Sequence, residues 1–485
     1  MDVTHTMSRP TGRRGVLTLA VALVGLFSTQ FPLGLDSPAR TAAIVTGVWA
    51  LCFLALSRSD AVGCYRPNSM YMLVFGLFHV GFLIATTVRG TDALHNVDSD
   101  WFYRGYTPHA LHLVIIGMVA FTLGAQLMSW RAGPLSPIVA PELNSTAGAD
   151  PDADRYRQKL ATVGLVVEAV SLLLFYKEVI QDRGGGLLAG GYEQFSTSLQ
   201  SSGSSNGYAT LGIGVGAIFA LVAGGRARTW GWVLFVGYAI PALPMGNRGE
   251  VLFPLLPMLI VEAQHGRKIR KLWTTAGVLL SLVVIGIVRT GRSTGYSVPS
   301  GKQLLTAPMD AIAEMGYSLR PTVEVLGWTS HGQGFRNGAT LTAVPVRLIE
   351  KLTGWHGGPP VQDDRLFNVE IAHRVGPIGG SPVGEGYYNF GTLGVVLMLG
   401  AIGLFVGWLN QRPLRMLDAR VALLVPLLGN VRNSFAQVPA HLVVIATLLV
   451  VVRVWSKRGQ AAVPVREGVR HAPVRQVAVR GHAWS

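Results

Sequence analysis

The chain has 485 residues, 49% of them hydrophobic and only 14% charged, with a formal net charge of +15. A soluble domain carries about 25% charged residues; here the apolar content is packed into runs of helix-spanning length, which excludes a soluble globular fold. The cations fall in short loops and tails between those runs, with no aromatic-interleaved basic domain, a pattern that suits anionic lipid headgroups and argues against nucleic acid as a partner.

In chain order, Arg9, Arg13 and Arg14 precede a first apolar run at 15–35, read as a retained helix with its N-terminus inside. Further runs follow at 41–56, 70–88, 109–128, 160–180, 208–223, 229–243, 251–261, 272–288, 388–408, 421–428 and 438–452. Pro241, Pro244, Pro254, Pro257 and Pro426 kink some of them, which membranes tolerate when neighbouring helices satisfy the freed carbonyls. The expected fold is therefore an all-α polytopic membrane protein of about twelve spans.

Alternation from an inner N-terminus puts Arg58 and Arg66, Arg155, Arg157 and Lys159, Arg226 and Arg228, Arg267 to Lys271, and Arg412 and Arg415 on the cytoplasmic side. The acidic cluster Asp92, Asp98 and Asp100 falls outside, as the positive-inside rule requires. The expected organisation is a cytoplasmic N-terminus at 1–14, nine spans and their loops at 15–290 and a large extracytoplasmic loop at 291–386. Three more spans at 387–454 and a basic cytoplasmic tail at 455–485 complete it.

Three outer segments are long. Residues 181–207 are rich in Gly and Ser, a composition of mobile loops. Residues 89–107 carry Trp101, Phe102, Tyr103 and Tyr106, read as an interfacial aromatic belt. In the 291–386 loop, Thr306-Ala307-Pro308 reads as a helix start. The run 309–319 then sets Asp310, Glu314 and Tyr317 on one face. A second helix is expected from Pro321 to Val325, and an amphipathic one at 340–352, with Pro345 in it, resting on the membrane surface. Residues 357–360 and 376–386 are Gly/Pro-rich connectors.

Cations on the outer face are the strongest functional signal. Arg289 and Arg292 close one run and Arg248 opens another, in Gly246-Asn247-Arg248-Gly249-Glu250. Ionisable groups at the edge of a span mark function, and guanidinium forks suit a diphosphate or a carboxylate. The plainer alternative is snorkelling to headgroups. Glu314, beside Asp310, is a candidate general base. Arg320 and Arg336 are candidates for substrate contact, with an ion pair to Glu314 as the alternative. Glu385 and Tyr388, in the glycine-rich approach to a span, offer polar and stacking contacts to sugars, and Arg432 is a further outer cation. His331, His356 and His373 share the large loop. Asp150, Asp152 and Asp154 stand among Arg155, Arg157 and Lys159 and read as a solvated linker. Cys52 and Cys64 are not expected to pair, and no Cys/His spacing suggests a metal.

Asn247-Arg248-Gly249-Glu250, Arg289-Thr290-Gly291-Arg292, Glu314-Met315-Gly316 and 384–391 (GEGYYNFG) together resemble the Wzy-type O-antigen and capsule polysaccharide polymerases. The resemblance implies a GT-C-like membrane fold in the plasma membrane, with the active site facing outside and no cofactor. It implies polyprenyl-diphosphate-linked oligosaccharide substrates and a growing glycan transferred onto a sugar hydroxyl of another lipid-linked unit. Arg289, Arg292 and Arg248 would hold the diphosphate and Glu314 would act as base. A flippase and a chain-length regulator are the partners it suggests. An O-antigen-ligase-like transferase using His331 or His373, and a flippase of lipid-linked sugars, are the alternative classes.

Overall fold

The computed structural model describes residues 11–28, 30–58, 64–90, 99–131, 151–183, 205–243, 248–265, 282–284, 286–287, 301–355, 362–410 and 419–458. Among these residues every regular element is helical. The order is α1 (Thr11–Ser28), α2 (Pro38–Arg58), α3 (Pro67–Arg89), α4 (Asp100–Tyr103), α5 (Thr107–Arg131) and α6 (Pro151–Arg183). Then come α7 (Ser205–Ala223), α8 (Gly225–Ala242), α9 (Arg248–Gln264), α10 (Gly301–Met315), a 3₁₀ turn (Gly316–Leu319) and α11 (Arg320–Ser330). The chain continues with α12 (Ala339–Leu352), α13 (Phe367–Val375), α14 (Pro382–Asn410), a 3₁₀ turn (Ala419–Leu423) and α15 (Leu424–Asn430), and closes with a 3₁₀ turn (Phe435–Gln437) and α16 (Val438–Arg458).

Six helices are long and apolar enough to cross a membrane: α2, α3, α5, α6, α14, and α16 with the turn before it. Val16–Ser28, Gly207–Ala223 and Ala419–Asn430 are shorter apolar helices. The chain is thus a polytopic α-helical membrane protein, and the expected twelve spans are not reproduced among the described residues. The run at 421–428 is divided between a 3₁₀ turn and α15, and most of 272–288 lies outside the described residues.

The central contact is α5 on α14, a parallel pair packed through small residues. A Cβ on Gly124 would lie 2.5 Å from the Gly400 carbonyl oxygen, one on Gly403 2.2 Å from that of Phe121, and one on Gly407 2.7 Å from that of Ala125. Gly403 and Gly407 form a GxxxG pair, so the two backbones approach as only glycine permits. At the start of α14, Phe390 (φ −141°) and Gly391 (φ 61°) break the helix into Pro382–Asn389 and Thr392–Asn410. The two pieces meet backbone to backbone, since a Cβ on Gly394 would lie 2.0 Å from the Gly386 oxygen.

Side-chain contacts group the helix ends into two faces. At one, Arg228 pairs with Glu262 (2.6 Å) and the Lys159 amine sits 4.1 Å over the Trp455 ring. At the other, Tyr176 donates to the Gly237 carbonyl (2.9 Å), the Tyr208 and His441 rings lie 5.2 Å apart, and the His112 ring meets the Phe31 carbonyl (3.1 Å). Helices α6, α8 and α16 run between these faces. Glu168, within α6, is fully buried with no partner on either carboxylate oxygen among the described residues.

Three local expectations are corrected. Trp101 and Phe102 are fully buried rather than interfacial: α4 tucks them against Phe82, whose ring lies 5.0 and 4.9 Å away, and only Tyr103 stays exposed. Asp152 and Asp154 belong to the first turn of α6, where carboxylates favour the helix dipole, and not to a linker. Helix α10 starts at Gly301, so Pro308 lies inside it, its missing N–H falling opposite the exposed Leu304. Residues 382–386 are helical, because Pro382 takes the first helical position and the Ser381 hydroxyl accepts the N–H groups of Val383 (3.2 Å) and Gly384 (3.3 Å). The amphipathic helix at 340–352 is present as α12, with Pro345 inside it. Helix α11 begins one residue before Pro321 and runs on to Ser330.

Candidate functional site

The helices between α9 and α14 are held on α3, α5 and the start of α16. Gly316 sits so close to α3 that a Cβ there would lie 1.9 Å from the Phe82 nitrogen. This docks α10 and α11 on α3. Arg89, at the end of α3, pairs with Asp310 of α10 (2.5 Å), and Glu314 follows one turn later, half-buried. The buried His79 ties the same helix to α14: its Nδ1 meets the Phe75 carbonyl (2.9 Å) and its Nε2 meets the Ser381 hydroxyl (2.9 Å). Thr322 of α11 donates to Ser381 as well (3.2 Å).

Glu385 is the second fastening. Its side chain is fully buried. One carboxylate oxygen accepts from the hydroxyls of Thr340 (2.9 Å) and Ser434 (3.1 Å), the other from the Phe435 N–H (2.7 Å). Asn389 donates to Thr340 (2.7 Å), and its side-chain oxygen accepts the Gly338 N–H (2.9 Å) at the start of α12. One carboxylate therefore joins α12, α14 and the turn leading into α16. Arg432 belongs to the same junction through its carbonyl, which accepts the Gly380 N–H (2.6 Å).

A charged cluster lies beside this junction. Glu370 of α13 is buried, and its Oε1 accepts from Arg336 (2.5 Å), Arg374 (2.6 Å) and the Tyr388 hydroxyl (2.8 Å). Arg336 also donates through Nε to the Tyr388 hydroxyl (3.0 Å), and Arg374 donates to Gln333 (2.5 Å). Burial works against the charge on Arg336, but the Glu370 carboxylate overcomes it and raises the guanidinium above its ordinary pKa. A parallel arrangement surrounds Glu324, which takes Arg104 (3.0 Å) and Arg320 (3.3 Å). Beyond α12, Asp363 is held by Arg347 (2.5 Å) and Arg365 (2.8 Å), and Arg365 also reaches Glu350 (2.7 Å). The hydrogen bond from Arg365, opposed by burial and helped by Arg347, lowers the Asp363 carboxyl to about 2.

Of the residues expected from sequence, the fold brings Arg336, Tyr388, Glu385 and Arg432 to one junction and joins Arg320 to it through the α11 backbone. Glu314 stands on the neighbouring α10. Arg320 pairs with Glu324 and Arg336 with Glu370, in place of the Glu314 pairing held as the alternative. Arg248 is the first residue of α9; Arg289, Arg292 and His356 lie outside the described residues. His331 hydrogen-bonds the Gly327 carbonyl (2.6 Å) and His373 meets Asp364 (2.8 Å). Sequence reading passed over Glu370, Arg374, Gln333, His79 and Ser381. One signal was available: Glu370 and Arg374 at i, i+4, with Phe367 and Ile371 apolar at the same spacing, mark an amphipathic helix.

Comparison with known proteins supplies the remaining observations. The family model described as O-antigen polysaccharide polymerase Wzy matches residues 16–459. Protein CapE of Staphylococcus aureus is 27% identical over 201 residues, covering 41% of this chain and 44% of that protein. The matched segment thus spans less than half of the relative's length. No solved structure matches.

Proposed function

The chain belongs to the family of O-antigen polysaccharide polymerases, Wzy, and from this membership we propose how it joins sugar units. It is a multi-pass membrane polysaccharide polymerase, and its substrates in this reading are polyprenyl-diphosphate-linked oligosaccharides at the outer face of the plasma membrane. A sugar hydroxyl of one lipid-linked unit attacks the anomeric carbon of the growing glycan. The new glycosidic bond forms as the bond to the lipid diphosphate breaks, and the diphosphate departs with the electron pair. Its developing charge is what Arg289, Arg292 and Arg248 stabilise. Glu314, half-buried on α10 one turn from Asp310, takes the proton of the attacking hydroxyl.

Arg336 and Arg432 contact the glycan. Glu385, Arg320 and Tyr388, all buried on protein partners, support them by fixing the elements that carry them. The face holding α12 to α14 is the outer one, in a GT-C-like arrangement, with a flippase delivering the units and a chain-length regulator ending the reaction. The observation that carries this reading is the family match across residues 16–459.

The test is in-membrane synthesis from a lipid-diphosphate oligosaccharide. Arg289→Ala and Arg292→Ala should abolish polymer while leaving protein levels unchanged. Glu314→Gln should slow turnover while the lipid-linked donor still binds. Full activity in both arginine variants sinks the diphosphate site.

A further inference from the structure

The Glu370 cluster carries more than a fastening requires. Glu370 is 1% exposed and places Arg336, Arg374 and the Tyr388 hydroxyl all on Oε1, while its Oε2 has no partner among the described residues. A buried carboxylate oxygen left without a donor is costly. The two arginines are open to the outside, at 35% and 38% exposure. Each uses two of its nitrogens on protein partners, Arg336 on Tyr388 and Glu370, Arg374 on Gln333 and Glu370. The rest of each guanidinium's five N–H groups is available to a ligand.

Their geometry is fixed in advance. The Arg374 guanidinium lies 4.5 Å over the Trp328 ring and that of Arg336 5.3 Å over the Tyr388 ring. Two guanidiniums against one carboxylate leave a single net positive charge. That matches one carboxylate on a ligand better than a diphosphate, which carries more charge and would face Glu370. Within a glycan, an acidic sugar supplies that carboxylate.

We propose that Arg336 and Arg374, held in place by Glu370, form a subsite for an acidic sugar of the repeat unit, the two guanidiniums gripping its carboxylate. This assignment rests on the polymerase reading and names the sugar class that reading leaves open.

The experiment uses the purified full chain in lipid vesicles, supplied with the host's own polyprenyl-diphosphate-linked repeat unit. The unit is given native or with its sugar carboxyl groups reduced to primary alcohols. The native unit should be polymerised with a kcat/KM about tenfold higher or more, the scale of one charge-assisted hydrogen bond. Arg374→Gln should bring that preference close to one, and Arg374→Lys should restore part of it. Arg374 is exposed, so the variants keep the fold, and unfolding curves verify this. Equal wild-type rates on both units, a host unit with no acidic sugar, or an equal loss on both units in Arg374→Gln overturns the subsite; the last would mark a diphosphate contact. The failure of the wider reading looks different: wild-type protein then makes no polymer from either unit, and the subsite falls with it.

Discussion

Replacing Glu385 separates a residue that holds the site from one that touches substrate. Its carboxylate accepts three hydrogen bonds, from Thr340 (2.9 Å), Ser434 (3.1 Å) and the Phe435 N–H (2.7 Å), all inside the protein. Glu385→Ala leaves all three donors without their acceptor. Each buried donor left unmade costs about 1–3 kcal/mol, and removing the carboxylate returns part of its own burial cost, for a net loss of roughly 3–5 kcal/mol.

Glu385→Gln is intermediate. With its NH₂ toward Phe435, two donors face each other. Flipped, the NH₂ meets two hydroxyls that already accept from Asn389 (2.7 Å) and the Ala436 N–H (3.2 Å), and their own hydrogens lose the carboxylate. Either orientation loses about 1–3 kcal/mol. Unfolding of the purified protein in detergent should therefore rank wild type above Gln and Gln above Ala. Wild-type stability in Glu385→Ala with loss of polymer synthesis would refute the reasoning and make Glu385 a substrate contact.

At the crossing of α5 and α14, Gly403→Val places its Cβ 2.2 Å from the Phe121 oxygen and should cost about 1–3 kcal/mol or more by overpacking. Gly47→Ala, with nothing within 4 Å, should be neutral or stabilise by up to about 1 kcal/mol; detergent unfolding reads both. Asp363 has its carboxyl lowered to about 2, chiefly by Arg365. Its stabilisation is fully present above its ordinary value of 3.8 and is lost as pH falls from there through about 2. Asp363→Asn should flatten that part of the acid-unfolding curve, and an unchanged curve would contradict the ion cluster. For topology, Ser330 is exposed, so Ser330→Cys, in a chain whose exposed Cys64 is replaced by Ser, should react with an impermeant thiol reagent added outside. Labelling only from the cytoplasmic side would invert the proposed orientation.

Much of the membrane architecture was legible in the sequence because hydropathy is a local property. A run such as 70–88 must be helical and buried in lipid or protein, whatever its neighbours, since its backbone has no water to bond. For the same reason α12 could be read from its apolar period and α11 from Pro321. The alternation of basic and acidic loops likewise needed no structure. What the sequence could not give was partnership. Trp101 and Phe102 look like belt aromatics until α4 lays them on Phe82. Arg336 has Glu314 and Glu370 equally available in sequence, and only the docking of α13 decides for Glu370. Glu385 looks like a sugar ligand in a glycine-rich approach; the break at Phe390 and Gly391 turns its helix inward against Thr340 and Ser434. Hydrophobic period fixes which residues leave water, but the choice of partner for a buried charge depends on groups as far as 221 positions away, brought within about 3 Å only by tertiary packing.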